Sequence, residues 1–202
     1  VAFVFRVDEK THKPEAKAKQ PKISFLKLSK NFRYYLTTWT IFSLANSSDV
    51  FILLKAKSAG LELRTTILLY CFYNLIYALL SPSLGILSDK ISRKWILSGG
   101  LFVFALTYLG FANATTFWDF FVLFGIYGIY MAATDGVGKA LAVDLLPKEM
   151  KATGLGILGT FTGLASLWAS LAAGFIWDHF GSAASFYYAA IGALIAGAMM
   201  LF

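Results

Sequence analysis

Six apolar stretches, each about as long as a bilayer is thick in helical residues, occupy most of this 202-residue chain. They cover residues 34–54, 65–87, 95–112, 117–143, 153–177 and 182–202. About 20 predominantly apolar residues carry an α-helix across the hydrocarbon core, where every backbone amide and carbonyl must be paired within the segment. Runs of this length therefore read as transmembrane helices. From the second onward they are separated by roughly four to ten residues, so each helix is antiparallel to its predecessor. Composition agrees: 58% of residues are hydrophobic and 14% charged, against about 25% charged in soluble domains. The expected fold is an all-α, polytopic bundle of six transmembrane helices over residues 34–202.

The chain before the bundle differs. Residues 1–6 form an apolar scrap ending at Arg6, which reads as the end of a preceding membrane helix; the lack of an initial Met agrees. Residues 7–33 are Lys-rich and carry Pro14 and Pro21, as a basic linker would. Within it, residues 23–33 interleave apolar and basic side chains, the pattern of an interfacial helix held by anionic lipids. Nine of the 18 bases fall in residues 6–33, and Lys90, Arg93, Lys94, Lys148 and Lys151 fall on the same side. Only Lys55, Lys57 and Arg64 face the other way. By the positive-inside rule the linker and the C-terminal end are cytoplasmic, in a plasma or inner membrane.

The net charge of +7 does not point to nucleic acid, since no aromatic–basic interleaving or binding motif accompanies it. The single Cys71 lies in an apolar run, and His12 and His179 are isolated. No disulfide framework, metal-ligand cluster, cofactor motif, hydrolytic triad or phosphate loop is expected, and hence no enzyme.

Between the second and third stretches lies Gly85-Ile86-Leu87-Ser88-Asp89-Lys90-Ile91-Ser92-Arg93-Lys94. An acid and three bases so close together cannot stay in hydrocarbon, which places a tight turn at a membrane surface. This stretch resembles the Gly-x-Leu-Ala-Asp-Arg-x-Gly-Arg-Arg loop of the major facilitator superfamily (MFS), with Lys90 for an Arg and Ser92 for the second Gly. Pro147-Lys148-Glu149-Met150-Lys151-Ala152-Thr153-Gly154 is similar to the family's turn between helices ten and eleven. Residues 174–181, followed by Phe186, are similar to the outer end of helix eleven.

The resemblance spans essentially the whole chain. It implies the C-terminal half of a twelve-helix transporter, helices 7–12, whose partner is a missing N-terminal six-helix half. It also implies secondary active transport of a small-molecule solute by alternating access, as a permease working in symport or antiport and coupled in most cases to a proton. Multidrug efflux is one such activity, and lipophilic cations, drugs, sugars and organic acids all stay open as substrates. In the family the acid matching Asp89 docks at a helix of the other half. Gly85, Asp89, Lys90, Arg93 and Lys94 are thereby implied as a conformational latch. A non-transporting membrane sensor or assembly protein on the same fold is the alternative.

Polar groups inside the spans are the remaining candidates, because intramembrane charges are usually functional. Asn46 and Asp49, three residues apart, can share a helix face as a substrate or proton site; a cap or unwound turn is the competing reading. Asp135 and Lys139, four apart, can pair as a gate or coupling pair, or as a structural ion pair. Tyr73, Asn74, Tyr127 and Tyr130 lie near mid-depth, where cavity lining competes with simple packing. Trp39, Trp95, Trp118 and Trp177 are expected in the interfacial belts. Gly156, Gly159 and Gly163 are expected to permit close helix packing.

Overall fold

The computed structural model describes residues 28–202, which form seven α-helices and one 3-10 turn, Lys148–Met150. The helices are α1 (Lys30–Ala45), α2 (Val50–Ser58), α3 (Leu63–Lys90), α4 (Arg93–Asn113), α5 (Phe117–Asp144), α6 (Lys151–Phe180) and α7 (Ser182–Met200). No strand occurs among the described residues. The expected helix end at 1–6 and most of the 7–33 linker, including the start of its interfacial stretch, lie outside them. Ser29 caps α1, its Oγ accepting the Phe32 amide at 3.1 Å, so residues 30–33 are the first turn of α1.

Helices α3 to α7 are each long and apolar enough to cross a membrane. The expected single span at 34–54 is instead broken into α1 and α2, of 16 and nine residues. The sequence Asn46-Ser47-Ser48-Asp49 explains the break, because short polar side chains compete for backbone groups. Ser48 Oγ accepts the Val50 amide at 3.4 Å, while the Ser48 amide donates to Ser170 Oγ on α6 at 3.2 Å.

The connections are shorter than expected. Two residues, Ile91 and Ser92, join α3 to α4, with φ of −121° and −57°, so no left-handed residue is needed where the family has glycine. Gly181 alone joins α6 to α7 at φ +86°, ψ 165°, a conformation open essentially only to glycine. Polar residues such as Lys90, Asp178 and His179 extend the helices beyond their apolar stretches, which uses up the loops.

α4 is the most enclosed helix, burying Leu97, Leu101, Phe104, Tyr108 and Phe111 against α5 and α7. α3 pairs with α5, and α1 lies against α6 and α7. The core has two layers. Towards the Gly181 end it is aromatic, built on Phe104, Tyr108, Phe111, Phe124, Tyr127 and Phe186. Towards the Arg93 end it is largely aliphatic, with Leu36, Leu97, Val137 and Leu141 around Phe32.

α3 and α6 are the least covered helices, leaving Leu79 at 66% and Leu167 at 58% exposure. The close packing expected at Gly156, Gly159 and Gly163 is not made among the described residues: outside the local helix backbone, none of their atoms lies within 4 Å of a Cβ built at any of the three. These glycines sit on a face of α6 that no described helix covers. Close approach falls at Gly128 instead, where a Cβ would meet the Tyr73 carbonyl oxygen at 2.7 Å. That missing side chain lets α3 and α5 come close enough for their tyrosines to converge.

Candidate functional site

Asp49 sits at the break, as the residue before α2. Its Oδ2 accepts the Tyr73 hydroxyl from α3, and its Oδ1 accepts the Tyr127 hydroxyl from α5, each at 2.6 Å. These are short, charge-assisted bonds. No Lys, Arg or His nitrogen of the described residues lies within salt-bridge distance of this carboxylate. Asn46, which caps α1, donates through Nδ2 to the Tyr130 hydroxyl at 3.5 Å. The tyrosine rings hold one another: Tyr73 meets Tyr127 edge-on at 5.2 Å, and Tyr127 and Tyr130 lie 5.2 Å apart.

Of the two readings of Asn46 and Asp49, the shared helix face is overturned and the cap or unwound turn holds, because the helix ends between them. Instead they approach the same aromatic group from opposite sides of the break. Tyr108 on α4 joins it: its ring lies 6.3 Å from that of Tyr127, and its buried hydroxyl finds no hydrogen-bond partner. Asn46 Oδ1 is likewise buried and unpartnered.

A second polar group lies nearer the Arg93 end. Lys139 Nζ donates to Asp135 Oδ1 at 2.7 Å, and the Tyr77 hydroxyl donates to Oδ2 at 2.8 Å. Tyr73 and Tyr77 are thus one turn apart on α3, about 6 Å along the axis, each donating to a different acid. Two grooves meet at Asp135. One of about 360 Å³ runs between α1, α5 and α6 past Tyr35, Trp39 and Thr162. Another of about 330 Å³ runs between α3 and α5 towards Ser88 and Asp89. Trp39 is therefore not a belt residue: it stacks on Tyr35 at 5.7 Å in the middle of α1 and lines the first groove. Trp95 and Trp118 are exposed near helix ends.

At the α3–α4 turn, Arg93 forms two ion pairs, 2.7 Å to Asp89 and 3.3 Å to Asp144 on α5. Lys94 Nζ donates to the Phe202 carbonyl at 3.3 Å. Ser88 Oγ donates to the Gly85 carbonyl at 2.7 Å, and Lys90 ends α3. Asn74 is not part of either polar group; its amide donates back to Tyr70 O at 2.8 Å on its own helix. Tyr77 and Tyr108 were not singled out in the sequence, since nothing distinguishes them among ten tyrosines. The one available signal was the four-residue spacing of Tyr77 from Tyr73.

A family model described as the Major Facilitator Superfamily matches residues 41–202. The chain belongs to the Major Facilitator Superfamily. It is similar to an uncharacterised MFS-type transporter of Methanocaldococcus jannaschii, 36% identical over 187 residues, which is 90% of this chain and 47% of that protein. It is also similar to the class H tetracycline resistance protein of Pasteurella multocida, at 33% identity over 54% of this chain and 27% of that protein. The human protein spinster homolog 1 is 25% identical over 63% of this chain and 23% of its own length. The chain spans about half the length of the first of these relatives. As an MFS chain with five spanning helices among its described residues, it is a multi-pass membrane protein.

Within this superfamily frame the two-residue turn after Lys90 holds the loop signature. Its acid, Asp89, is engaged by Arg93 on the neighbouring helix, and Arg93 ties that corner to α5 through Asp144. The Asp49 group lies towards the opposite end of α3, near the aromatic layer of the core.

Proposed function

We propose that this chain is the C-terminal half of a secondary active transporter that moves a small solute by alternating access, with the Asp49 group as its ion- or substrate-binding centre. The observation that carries this reading is the Asp49 carboxylate: it stands at a broken helix, held by hydroxyls from two other helices and by no base of the described residues. Discontinuous helices are a recurring place where secondary transporters bind ions and substrates. The coupling ion is a cation, a proton in the simplest case. Import and export are both compatible with the arrangement, and a drug-efflux activity is the form suggested by the tetracycline-resistance relative.

The uncovered faces of α3 and α6 are the surfaces against which an N-terminal half would rock. The Asp89–Arg93–Asp144 network, with Gly85, Lys90 and Lys94 beside it, forms the latch of that movement, on the cytoplasmic side. The Asp135–Lys139 pair gates the two grooves that meet at it.

The test is substrate-dependent pH change in proteoliposomes holding the full-length protein, screened across compound classes, with Asp49→Asn as control. A flux triggered by one class and lost in the control supports coupled transport through Asp49. Silence across a broad panel, with folded protein, refutes proton-coupled transport and favours an uncoupled or non-transporting protein.

A further inference from the structure

We propose that a cavity at the Arg93 end of the bundle seats the headgroup of an anionic phospholipid, with Lys30 and Lys94 on its phosphate. This site is separate from the Asp49 centre, and its binding can be measured whether or not the protein transports anything.

Four helices enclose the cavity, which has a volume of about 280 Å³. Lys30, Asn31 and Tyr34 come from the start of α1, and Lys94 from the first turn of α4. Leu145, which closes α5, and Met200, the last residue of α7, supply an apolar floor. Polar donors thus rim a greasy base, the division of chemistry found in a phospholipid at the level of its phosphate and glycerol.

The rim carries uncompensated positive charge. Every ion pair among the described residues belongs to Arg93 or Lys139, so neither Lys30 nor Lys94 meets a described acid. Lys94 Nζ donates to the Phe202 carbonyl at 3.3 Å, which occupies one of the three protons of an ammonium. Arg33, about one turn from Lys30 on α1, has no described acid partner either, and its Nε is buried without an acceptor. A buried donor calls for an acceptor. Lone lysines at the end of a span ordinarily reach out into water. Here two of them, from different helices, line one cavity.

Charge also selects the occupant. Residues 1–27, which precede the cavity in the chain, carry seven Lys and Arg against three Asp and Glu, so that segment has the sign of the cavity rather than its complement. A free phosphate would satisfy the lysines but leave the Leu145 and Met200 floor to water. A phospholipid covers both, and Trp95, next to Lys94 and 64% exposed, is the kind of side chain that sits at headgroup level. Basic pockets between transmembrane helices hold anionic headgroups by the same physics. The lipid contact expected of residues 23–33 is thereby placed at Lys30 and shared with α4.

The test is native mass spectrometry of the purified, delipidated full-length protein, titrated with dioleoyl-phosphatidylglycerol or with dioleoyl-phosphatidylcholine. One phosphatidylglycerol is expected to bind more tightly than any further lipid, and phosphatidylcholine about tenfold or more weaker than that first one. Lys30→Gln combined with Lys94→Gln should weaken the tight lipid about tenfold or more, since each lysine near a membrane surface counts for severalfold. Lys148→Gln combined with Lys151→Gln removes the same charge at the same end but outside the cavity, and should leave the tight lipid in place. Lys30→Arg with Lys94→Arg should keep it, which separates lost charge from a damaged fold. Equal binding of the two lipids, or equal loss in the two glutamine pairs, would overturn the proposal in favour of diffuse surface charge. Displacement of the lipid by millimolar inorganic phosphate that itself binds would overturn it in favour of a free-anion site.

Discussion

Asp49 takes its two hydrogen-bond donors from residues 24 and 78 positions away. A hydrogen bond to a charged group contributes about 1.5–3 kcal/mol. Tyr73→Phe and Tyr127→Phe are each expected to lower stability by about that amount, because either hydroxyl leaves one carboxylate oxygen short of a donor. The double variant should be worse or better than the sum of the two, since both act on one group. Thermal unfolding of the full-length protein in detergent, run as a double-mutant cycle, measures the coupling. Asp135 and Lys139 should behave differently. Their side chains are 38% and 65% exposed and open into the grooves rather than packing in the core, so the pair carries little packing. Lys139→Gln is expected to change stability by less than about 1 kcal/mol, while any effect on flux marks the gating role. The sequence marked Asp49, Tyr73, Tyr127 and Tyr130 individually. It could not show that four side chains from three stretches meet, nor that Tyr108 joins them while Tyr77 serves Asp135, because convergence is a property of packing.

At the scale of helices, two kinds of glycine must be separated. Gly128 lies under the Tyr73 carbonyl, and an added methyl there would come within 2.7 Å of backbone that cannot rotate away. Gly128→Ala is therefore expected to push α3 from α5 and lower stability by about 1–3 kcal/mol. It should also weaken the Asp49 contacts, read as lost flux. Gly156→Ala meets nothing within 4 Å and should be neutral or stabilising by up to about 1 kcal/mol, the helix-propensity gain over glycine. A thermal melt of both variants checks the contrast. If Gly156→Ala proves as damaging as Gly128→Ala in the full-length protein, the α6 glycine face is packed by segments outside the described residues. Periodicity marked the helices within a few residues. The polar run Asn46 to Asp49 raised a cap or unwound turn as one of two readings, but it sits in an apolar stretch whose mean hydropathy reads as a single span, so the sequence did not decide for the α1–α2 break.

For the whole molecule, Arg93 links the corner of α3 and α4 to the end of α5. Arg93→Gln removes both ion pairs and leaves Asp89 and Asp144 without their ion-pair partner among the described residues. In the full-length protein this is expected to slow transport by about tenfold or more while changing stability by less than about 1 kcal/mol, as exposed ion pairs do. Flux and melting temperature measured on one preparation separate the two effects. A variant equally slow and unstable would assign Arg93 to folding rather than to conformational exchange.

By itself, the sequence determined that this chain is a helical membrane bundle and which family it belongs to. Lengths of apolar run are set by bilayer thickness, charged turns are forced to the surface, and the loop signature is local in the chain. Tertiary structure alone decided where the first span breaks, which glycines are contacts and which are bare, and that one uncompensated carboxylate sits among hydroxyls from α3 and α5. Those outcomes depend on which side chain meets which across helices. Such meetings follow from the register and approach of packed helices, which no spacing within a single stretch encodes.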